Sequence, residues 1–316
     1  MSGIDETRDP GHGPAGPEVT GGPATVGPPG RVDTLSPLVR RILCPNPSLM
    51  TGPGTNTYLV GTGEVAVVDP GPDDPVHLER VLVAAGEALR WIVVTHAHPD
   101  HAPGARRLAE RTGVAVLGFD ERAGFRPDRR VGDGDEVAGG TAWQLTALYT
   151  PGHSSDHLCF VLDGEDGRLL LSGDHVMDGS TVVIAPPDGD MAAYLEGLRR
   201  VLSLRPEPAS LLPGHGGVVR QPRERVEHYL EHRLARERAL AAVLGAAGSA
   251  SVDELVATVY EGLDPALAPI ARYSVWAHLR KLAGEGLVIE EAPGGLEGRW
   301  RSVSSSVPTD TRPADT

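Results

Sequence analysis

Three histidines and one aspartate lie within six residues of one another, in the segment Thr-His-Ala-His-Pro-Asp-His at positions 95–101. They are His96, His98, Asp100 and His101. Imidazole nitrogens and carboxylate oxygens are ordinary ligands of zinc, and iron and manganese accept the same donors. Because such groups seldom cluster at this spacing without an ion, the segment predicts a metal site.

Further candidate ligands follow short apolar segments later in the chain. His153, Asp174 and His215 each come directly after a glycine, which lets the backbone turn tightly and approach the site. Seven ligands are too many for one tetrahedral ion, but they suffice for two ions if one carboxylate bridges them. The complete set of candidate ligands is His96, His98, Asp100, His101, His153, Asp174 and His215.

This ligand set predicts hydrolytic chemistry. Two zinc ions are the expected cofactors, with manganese or iron as alternatives. Two dications that share a water lower its pKa, so a hydroxide bridging the metals is the expected nucleophile. Asp100 and Asp174 are the candidate catalytic carboxylates, and Asp100 would orient the hydroxide besides binding an ion. For His175, a proton donor in the substrate-binding region and a spare surface histidine are both open, and we favour the second.

Alternating apolar and helical segments must position these residues. The pair at 55–60 and 64–68 predicts a β-hairpin. Since the candidate ligands follow strands, we expect them at the carboxyl edge of a sheet in an α/β fold. Strands are expected at 38–43, 55–60, 64–68, 90–94, 115–118, 143–149, 158–162, 169–171 and 210–212, and helices at 75–85, 103–111 and 191–204.

The order of the metal motifs resembles that of the metallo-β-lactamase superfamily. The resemblance covers about residues 38–218, with the segment 95–101 followed by Gly-His at 152–153, Gly-Asp at 173–174 and Gly-His at 214–215. It implies a four-layer αβ/βα sandwich with the metals at one edge. It also implies that His96, His98 and His153 hold the first ion, that Asp100, His101 and His215 hold the second, and that Asp174 bridges them.

Two segments narrow the resemblance to the lactamase-beta-2-like branch, some members of which are endoribonucleases. They are Asn-Pro-Ser-Leu-Met at 46–50 and Gly-Thr-Asn-Thr-Tyr-Leu-Val at 54–60. In that branch, Asp69 supports the histidine loop without binding an ion, and Thr57 lies near the pocket. Asn56 and Thr57 are therefore candidate substrate contacts, with ordinary hairpin residues as the equal alternative. Metallo-β-lactamases that cleave antibiotics use a cysteine or other distinct ligands at the second ion, so Asp174 argues against β-lactam hydrolysis.

A smaller unit with a winged-helix pattern follows. In the helical run at 224–244, His228 and His232 are four residues apart, and without a third ligand nearby we interpret them as an exposed helix face. An N-cap at Ser251, a helix at 271–284 and a ribbon formed by 286–290 and 299–301 predict the winged helix. Residues 249–303 carry eight acidic and five basic side chains, a net charge of −3, which argues against duplex DNA binding.

Composition suggests four segments along the chain. Residues 1–30, with eight glycines and six prolines, and residues 304–316 are predicted to be disordered tails. Between them we expect a catalytic domain at 31–222 and a helical linker with the winged helix at 223–303. No apolar run suits a membrane span, and two isolated cysteines fit a reducing compartment, so we expect a cytoplasmic protein that does not bind membranes. No feature indicates an oligomeric state.

Three functions compete at this stage. The preferred hypothesis is hydrolysis of a phosphodiester, as by an endonuclease acting on single-stranded RNA. The first alternative is a thioesterase similar to glyoxalase II that hydrolyses a small acyl thioester, and the second is a regulator that binds nucleic acid through the winged helix. The net charge of −14 opposes both nucleic-acid functions. The expected partner is therefore a small-molecule or single-stranded RNA substrate.

Overall fold

Two β-sheets face each other across a shared apolar layer and carry the candidate ligands at one end. The computed structural model describes residues 26–165, 167–179 and 181–303. Of the two predicted tails, 304–316 and most of 1–30 lie outside these ranges. The described part, 26–30, leads into the first strand, and the backbone N–H of Gly30 donates a hydrogen bond to the carbonyl of Leu43.

The first sheet has seven strands that lie side by side in chain order. They are β1 (Val32–Ser36), β2 (Val39–Leu43), β3 (Asn56–Val60), β4 (Val65–Val68), β5 (Leu89–Val93), β6 (Val116–Gly118) and β7 (Arg129–Arg130). Neighbours from β1 to β4 pair antiparallel, which confirms the predicted hairpin of β3 and β4, and neighbours from β4 to β7 pair parallel. Strand β1 was not predicted, because this half-exposed edge strand is too polar to stand out in the sequence.

The second sheet has five strands in the order β12-β11-β10-β9-β8. They are β8 (Glu136–Gly139), β9 (Trp143–Tyr149), β10 (Leu158–Gly164), β11 (Gly167–Gly173) and β12 (Leu211–Pro213). All neighbours pair antiparallel except β11 and β12. Because β11 and β12 run in the same direction, the residues that follow them emerge at the same edge of the sheet.

Helices cover the outer faces of both sheets. Helices α1 (Pro75–Ala85) and α2 (Pro103–Thr112) pack on the first sheet, and α3 (Met191–Ser203) and the first half of α4 (Pro222–Ala247) pack on the second. Both faces of β3 are buried: Tyr58 and Val60 point into the layer between the sheets, whereas Leu59 points towards α1. The predicted four-layer αβ/βα sandwich is confirmed.

The C-terminal elements have their own apolar core. They are β13 (Ser249–Ser251), α5 (Val252–Val259), α6 (Ala268–Gly284), β14 (Val288–Ala292) and β15 (Arg299–Ser302). The predicted N-cap is confirmed, since Ser251 Oγ accepts a hydrogen bond from the N–H of Glu254 and the Ser251 N–H donates to the Glu254 carboxylate. The predicted ribbon of β14 and β15 is extended by β13 to three strands.

Helix α4 connects the two cores. Val226 and Tyr229, in its first half, pack against α3, whereas Leu240 and Leu244, in its second half, belong to the C-terminal core. The long helix therefore holds the C-terminal domain beside the second sheet. Within the described residues, no helix has both the length and the apolar character needed to cross a lipid bilayer.

Candidate metal centre

All seven predicted ligand side chains come together where strands of both sheets end. His96 follows β5, Asp174 follows β11 and His215 follows β12. The possible ligand atoms form overlapping groups of three, and the atoms of each group lie within 4.8 Å of one another. The groups are His96, His98 and His153; His96, His101 and Asp174; and Asp100, His101 and His215.

Three imidazole nitrogens form the first group. His98 Nδ1 lies 2.8 Å from His96 Nε2 and 3.0 Å from His153 Nε2. Two nitrogen ligands of one tetrahedral zinc ion, each at about 2.0–2.1 Å, are separated by about 3.3 Å. The observed distances come within about 0.5 Å of this spacing. The three residues therefore fit one such ion.

The second group joins two imidazoles to a carboxylate. His215 Nε2 lies 3.3 Å from His101 Nε2 and 3.1 Å from Asp100 Oδ2. The remaining distance, from His101 Nε2 to Asp100 Oδ2, is 3.5 Å. These separations also match those of ligands around one tetrahedral ion, so this group fits a second ion.

Asp174 lies between the two groups. Its Oδ2 atom is 3.6 Å from His153 Nε2, in the first group, and 3.5 Å from His215 Nε2, in the second. Its Oδ1 atom is buried, and among the described residues it has no hydrogen-bond partner. A buried carboxylate oxygen without a donor is costly unless a cation neutralises it. Asp174 therefore has the position of a bridging ligand, and a metal ion would neutralise its unpartnered oxygen.

Hydrogen bonds behind the imidazoles fix which nitrogen faces the cluster. Nδ1 of His153 donates to the carbonyl of Val183 at 2.7 Å, and Nδ1 of His215 donates to that of Gly54 at 3.1 Å. A carbonyl only accepts hydrogen bonds, so Nδ1 carries a proton in both rings, and in the neutral ring it is Nε2 that has the lone pair. Both rings are therefore held in the tautomer that binds a metal.

Asp69 performs the same task for His101. One carboxylate oxygen of Asp69 accepts from Nδ1 of His101 at 2.9 Å and from Oγ1 of Thr95 at 2.8 Å, and the other accepts from the Thr95 N–H at 2.8 Å. Asp69 has a φ of 51°, in the left-handed region that few residues other than glycine adopt. This strained turn aims its carboxylate at the underside of the histidine loop.

A close approach of backbone to ligands requires glycine at position 214. A Cβ there would lie 2.5 Å from Asp174 Oδ1 and 2.7 Å from Cε1 of His101. Any side chain on this residue would fill the space between the two ligands. The glycine before His215 is therefore a requirement of the cluster itself.

The two ligand groups differ in their affinity for protons. Burial lowers the pKa of His98 to about 4 and holds that of His96 well below its usual range, so both rings are neutral at neutral pH. Burial alone would do the same to His215, but the Asp174 and Asp100 carboxylates raise its pKa to about 9. The second group therefore attracts positive charge, and a metal ion would take the place of that proton.

Three residues that the sequence did not single out support the ligands. His157 is fully buried, and its Nε2 accepts a hydrogen bond from the backbone N–H of Asp174 at 3.1 Å. Asp156 accepts from the N–H of Ala97, between two ligand histidines, at 2.9 Å, and Ser154 donates to the same carboxylate. All three follow His153 within four residues, and that proximity is the only signal in the sequence.

Asn56 and Thr57, candidate substrate contacts or ordinary hairpin residues by sequence, face the interior of the protein. Both are fully buried. Asn56 Nδ2 donates to the carbonyls of Pro213 and Gly216, on either side of His215, and Thr57 Oγ1 donates to the carbonyl of Asp69 at 2.7 Å. Asn56 therefore fixes the backbone on both sides of His215, and Thr57 fixes the backbone of Asp69.

His175 is neither a surface histidine nor a proton donor in the substrate region. It is fully buried, and its ring packs 5.0 Å from that of Tyr194 in α3. Among the described residues, its two ring nitrogens have no hydrogen-bond partner. Burial lowers its pKa to about 3, so the ring is neutral. His175 fills space between β11 and α3.

An apolar cavity of about 270 Å³ adjoins the cluster. His153 and Asp174 line it on the cluster side, and Met177 and Val182 from the loop after β11 extend that wall. The rest of the lining comes from the loop after β2 and from the C-terminal domain. A substrate in this cavity would contact His153 of the first group and Asp174, which lies between the two groups.

Comparison with known families identifies the catalytic fold. A family model described as the metallo-beta-lactamase superfamily matches residues 50–215, which is more than half of the chain. The chain belongs to the metallo-β-lactamase superfamily. Behind the metallo-β-lactamase domain, residues 251–300 match the beta-lactamase associated winged helix domain, which confirms the winged-helix prediction.

Individual relatives of this metallo-β-lactamase chain agree with the predicted branch. The beta-lactamase-like protein 2 homolog of Caenorhabditis elegans is 32% identical over 286 residues, which cover 87% of this chain and 93% of that protein. An atrochrysone carboxyl ACP thioesterase of a Cryptosporiopsis species is 29% identical over 305 residues, or 90% and 91% of the two chains. A beta-lactamase domain protein from Burkholderia ambifaria shares the fold, with a TM-score of 0.72 at 24% identity over 89% of this chain and 96% of that one. Members of the superfamily are generally metal-dependent hydrolases.

The packing of His175 predicts that replacing a glycine of helix α3 by alanine destabilises the protein, although this substitution usually stabilises a helix. Gly197→Ala in α3 should lower the free energy of unfolding by about 1–3 kcal/mol, because its Cβ would lie 2.6 Å from Cε1 of the buried His175. Gly245→Ala in α4 is the matched control, since nothing lies within 4 Å of its Cβ. It should raise the free energy of unfolding by up to about 1 kcal/mol. Urea denaturation measures both, and a stabilised Gly197→Ala protein would contradict this placement of His175.

Proposed function

We propose that this protein is a dinuclear metal-dependent hydrolase that cleaves small acyl thioesters. The observation that carries the proposal is the contact between the ligand cluster and the apolar cavity, where His153 and Asp174 belong to both. A thioester with an apolar acyl group can place its carbonyl carbon at the ligands and its acyl group in the cavity. The similarity to an ACP thioesterase over 90% of the chain supports the same substrate class.

In this proposal each ligand group holds one ion, and zinc, manganese or iron fits the donors. His96, His98 and His153 would hold the first ion, Asp100, His101 and His215 would hold the second, and Asp174 would serve both. Bound divalent ions would lower the pKa of a water and polarise the substrate carbonyl. The protein's own contribution is to orient the ligands, and Asp69 does so through His101.

The carboxylates of the cluster have different tasks in the proposed reaction. The side chain of Asp100 is 26% exposed and that of Asp174 is 9% exposed, so Asp100 is the one that an incoming water can reach. Asp100 orients this water and accepts its proton. The resulting hydroxide oxygen then bonds to the carbonyl carbon, and the carbon–sulfur bond breaks with its electron pair on sulfur. The proton held by Asp100 then passes to the released thiolate, so the products are a carboxylic acid and a thiol.

The chemistry of the leaving group favours a thioester over a phosphodiester. A thiol has a pKa of about 8.5, so its thiolate leaves without first receiving a proton. A ribose oxygen is a far poorer leaving group and needs a general acid. His175, the proton donor considered from the sequence, lies outside the cavity. Hydrolysis of a thioester therefore needs no general acid in the cavity.

Single-stranded RNA, the preferred substrate by sequence, becomes the second candidate here, because two ions joined by a carboxylate would also suit in-line displacement at phosphorus. The cavity wall opposes it: Arg233 is the basic residue in the described lining besides histidine, and its guanidinium already bonds the Val182 carbonyl. We further propose a cytoplasmic location for the activity. Cys44 and Cys159 are both buried and free, as in proteins of a reducing compartment.

Metal analysis combined with a substrate panel tests the proposal. We expect purified protein to bind about two divalent ions and to hydrolyse an acyl thioester faster than single-stranded RNA, a phosphodiester or a β-lactam. His98→Ala and His101→Ala should each lose one ion and lower kcat/KM at least about 10²-fold, with unchanged circular dichroism. His228→Ala, an exposed histidine outside the cluster, is the control and should keep both ions. Cleavage of RNA but not of thioesters would reverse the order of the two candidates.

The support that Asp69 gives to His101 makes a separate prediction. Asn tolerates the left-handed backbone, so Asp69→Asn should preserve the turn. It removes the negative charge, and with the amide nitrogen in place of Oδ2 it also removes the acceptor of the His101 and Thr95 side chains. We expect the affinity of the second ion to fall about 10–100-fold and that of the first ion to change less. Competition with a chelator in a titration measures both affinities. Equal losses at both ions would mean that Asp69 does not act through His101.

A further inference from the structure

The cavity beside the cluster is shared between two domains. Leu49 and Met50, in the loop after β2, face it from the catalytic domain. Leu263, Leu267 and Ile270, at and before the start of α6, face it from the C-terminal domain. An occupant of the cavity therefore touches the winged helix and the ligand cluster at the same time.

The catalytic side presents exposed apolar side chains at this cavity. Leu49 is 67% exposed and Met50 is 52% exposed. Adjacent large apolar residues on a surface often mark a binding region. Their loop is fixed by local hydrogen bonds: Ser48 Oγ accepts from the N–H groups of Met50 and Thr51. The loop thus holds the two side chains at the cavity.

The same loop is tied to the cluster. Nδ1 of His215 donates to the carbonyl of Gly54, and the N–H of Asn56 donates to the carbonyl of Gly214. Contacts that an acyl group makes with Leu49 and Met50 therefore act on a segment that is hydrogen-bonded to a ligand. Binding energy gained there can position the carbonyl at the cluster.

The C-terminal wall is mostly apolar, and Arg233 is its one described basic residue besides histidine. His232 lines the cavity, and burial lowers its pKa to about 4, so it is neutral at neutral pH. Arg233 is buried, with its guanidinium bonded to the Val182 carbonyl, 3.4 Å from Ser274 Oγ and 5.5 Å from the centre of the Tyr194 ring. An uncharged apolar group fits this wall, whereas a polyanion would meet a single buried cation, Arg233, which already bonds two neutral acceptors.

The size of the cavity further limits its occupant. A volume of about 270 Å³ lies near the lower end of the range of about 300–1,000 Å³ that is typical of small-molecule sites. It suits one acyl group of medium length or one or two fused rings, and it is too small for several stacked nucleotides.

We propose that the C-terminal winged-helix domain forms the acyl-group subsite of this hydrolase. The apolar acyl group of the thioester lies between the loop carrying Leu49 and Met50 and the start of α6, with its carbonyl carbon at the ligand cluster. The inference rests on the proposed thioesterase function and adds the domain that selects the acyl group. The winged helix acts here through an apolar face near Ile270.

Substitutions at Ile270 test the subsite. Ile270→Trp fills the cavity and should lower the selectivity for octanoyl over acetyl thioesters, measured as the ratio of kcat/KM values, about tenfold. Ile270→Ala enlarges the cavity and should shift the preference towards decanoyl thioesters. Ile289→Trp is the matched control, because Ile289 is 40% exposed on β14 in the same domain and does not line the cavity. It should keep the selectivity of the unaltered protein.

Binding of a non-hydrolysable octanoyl thioether separates this inference from the proposed function. By calorimetry, the thioether should bind the unaltered protein and the Ile289→Trp variant alike, and bind Ile270→Trp about tenfold more weakly. If this pattern appears but no thioester is hydrolysed, the proposed function fails and the acyl subsite stands. If thioesters are hydrolysed while both Ile270 variants keep the selectivity and affinity of the control, the subsite is overturned. Binding of a ribonucleotide tetramer instead of the thioether would also overturn it.

Discussion

Imidazole lone pairs and carboxylate charges converge at one edge of the sandwich, and the rest of the structure depends on this constraint. Five imidazoles and two carboxylates bring their ligand atoms within a few ångströms of one another, and one oxygen of Asp174 is buried without a donor. Such a cluster is unfavourable unless positive charge enters it. The raised pKa of His215 shows the same demand, because protonation of this ring brings a positive charge into the cluster. Metal ions would meet the demand in both ligand groups, and the surrounding hydrogen bonds orient those groups for that task.

The fold meets this constraint by delivering ligands from the ends of strands and by fixing them from behind. Neighbouring parallel strands, β4 beside β5 and β11 beside β12, place Asp69, Asp174 and the histidine loop at one edge. Buried acceptors then set the rings: a backbone carbonyl for His153 and His215, and the Asp69 carboxylate for His101. Because Asp69 occupies a left-handed conformation, its turn stores strain that the three hydrogen bonds to its carboxylate compensate. The stability of the edge and the geometry of the cluster are therefore parts of one hydrogen-bond network.

The local and the non-local features of this site differ in how far the sequence reveals them. The ligand residues stand out because their types are rare at such spacing and because each follows an apolar strand. Helix α1 and the hairpin of β3 and β4 were predictable for the same reason, since strong local patterns define them. The roles of Asn56, Thr57 and His175 were not, because whether a polar residue faces a cavity or a core depends on which sheet face it occupies. His157 was missed because its link to Asp174 is a contact across a loop, and β1 was missed because it is a polar edge strand. The cavity is the extreme case, as its walls come from segments about 200 residues apart.

A winged helix with a net charge of −3 is poorly suited to hold a polyanion, yet it packs against a catalytic domain with an exposed apolar loop. The two facts have one physical explanation. A fold does not dictate what its surface binds, and the face near Ile270 presents aliphatic side chains where a nucleic-acid reader would present basic ones. Helix α4 holds that face opposite the cluster by contributing to both apolar cores, and Arg233, in the middle of this helix, joins the loop after β11 to Ser274 in α6. The C-terminal domain is therefore fixed to the catalytic domain at the cavity. A domain that forms a wall of a substrate cavity needs such a fixed position, whereas a recognition module on a flexible tether does not.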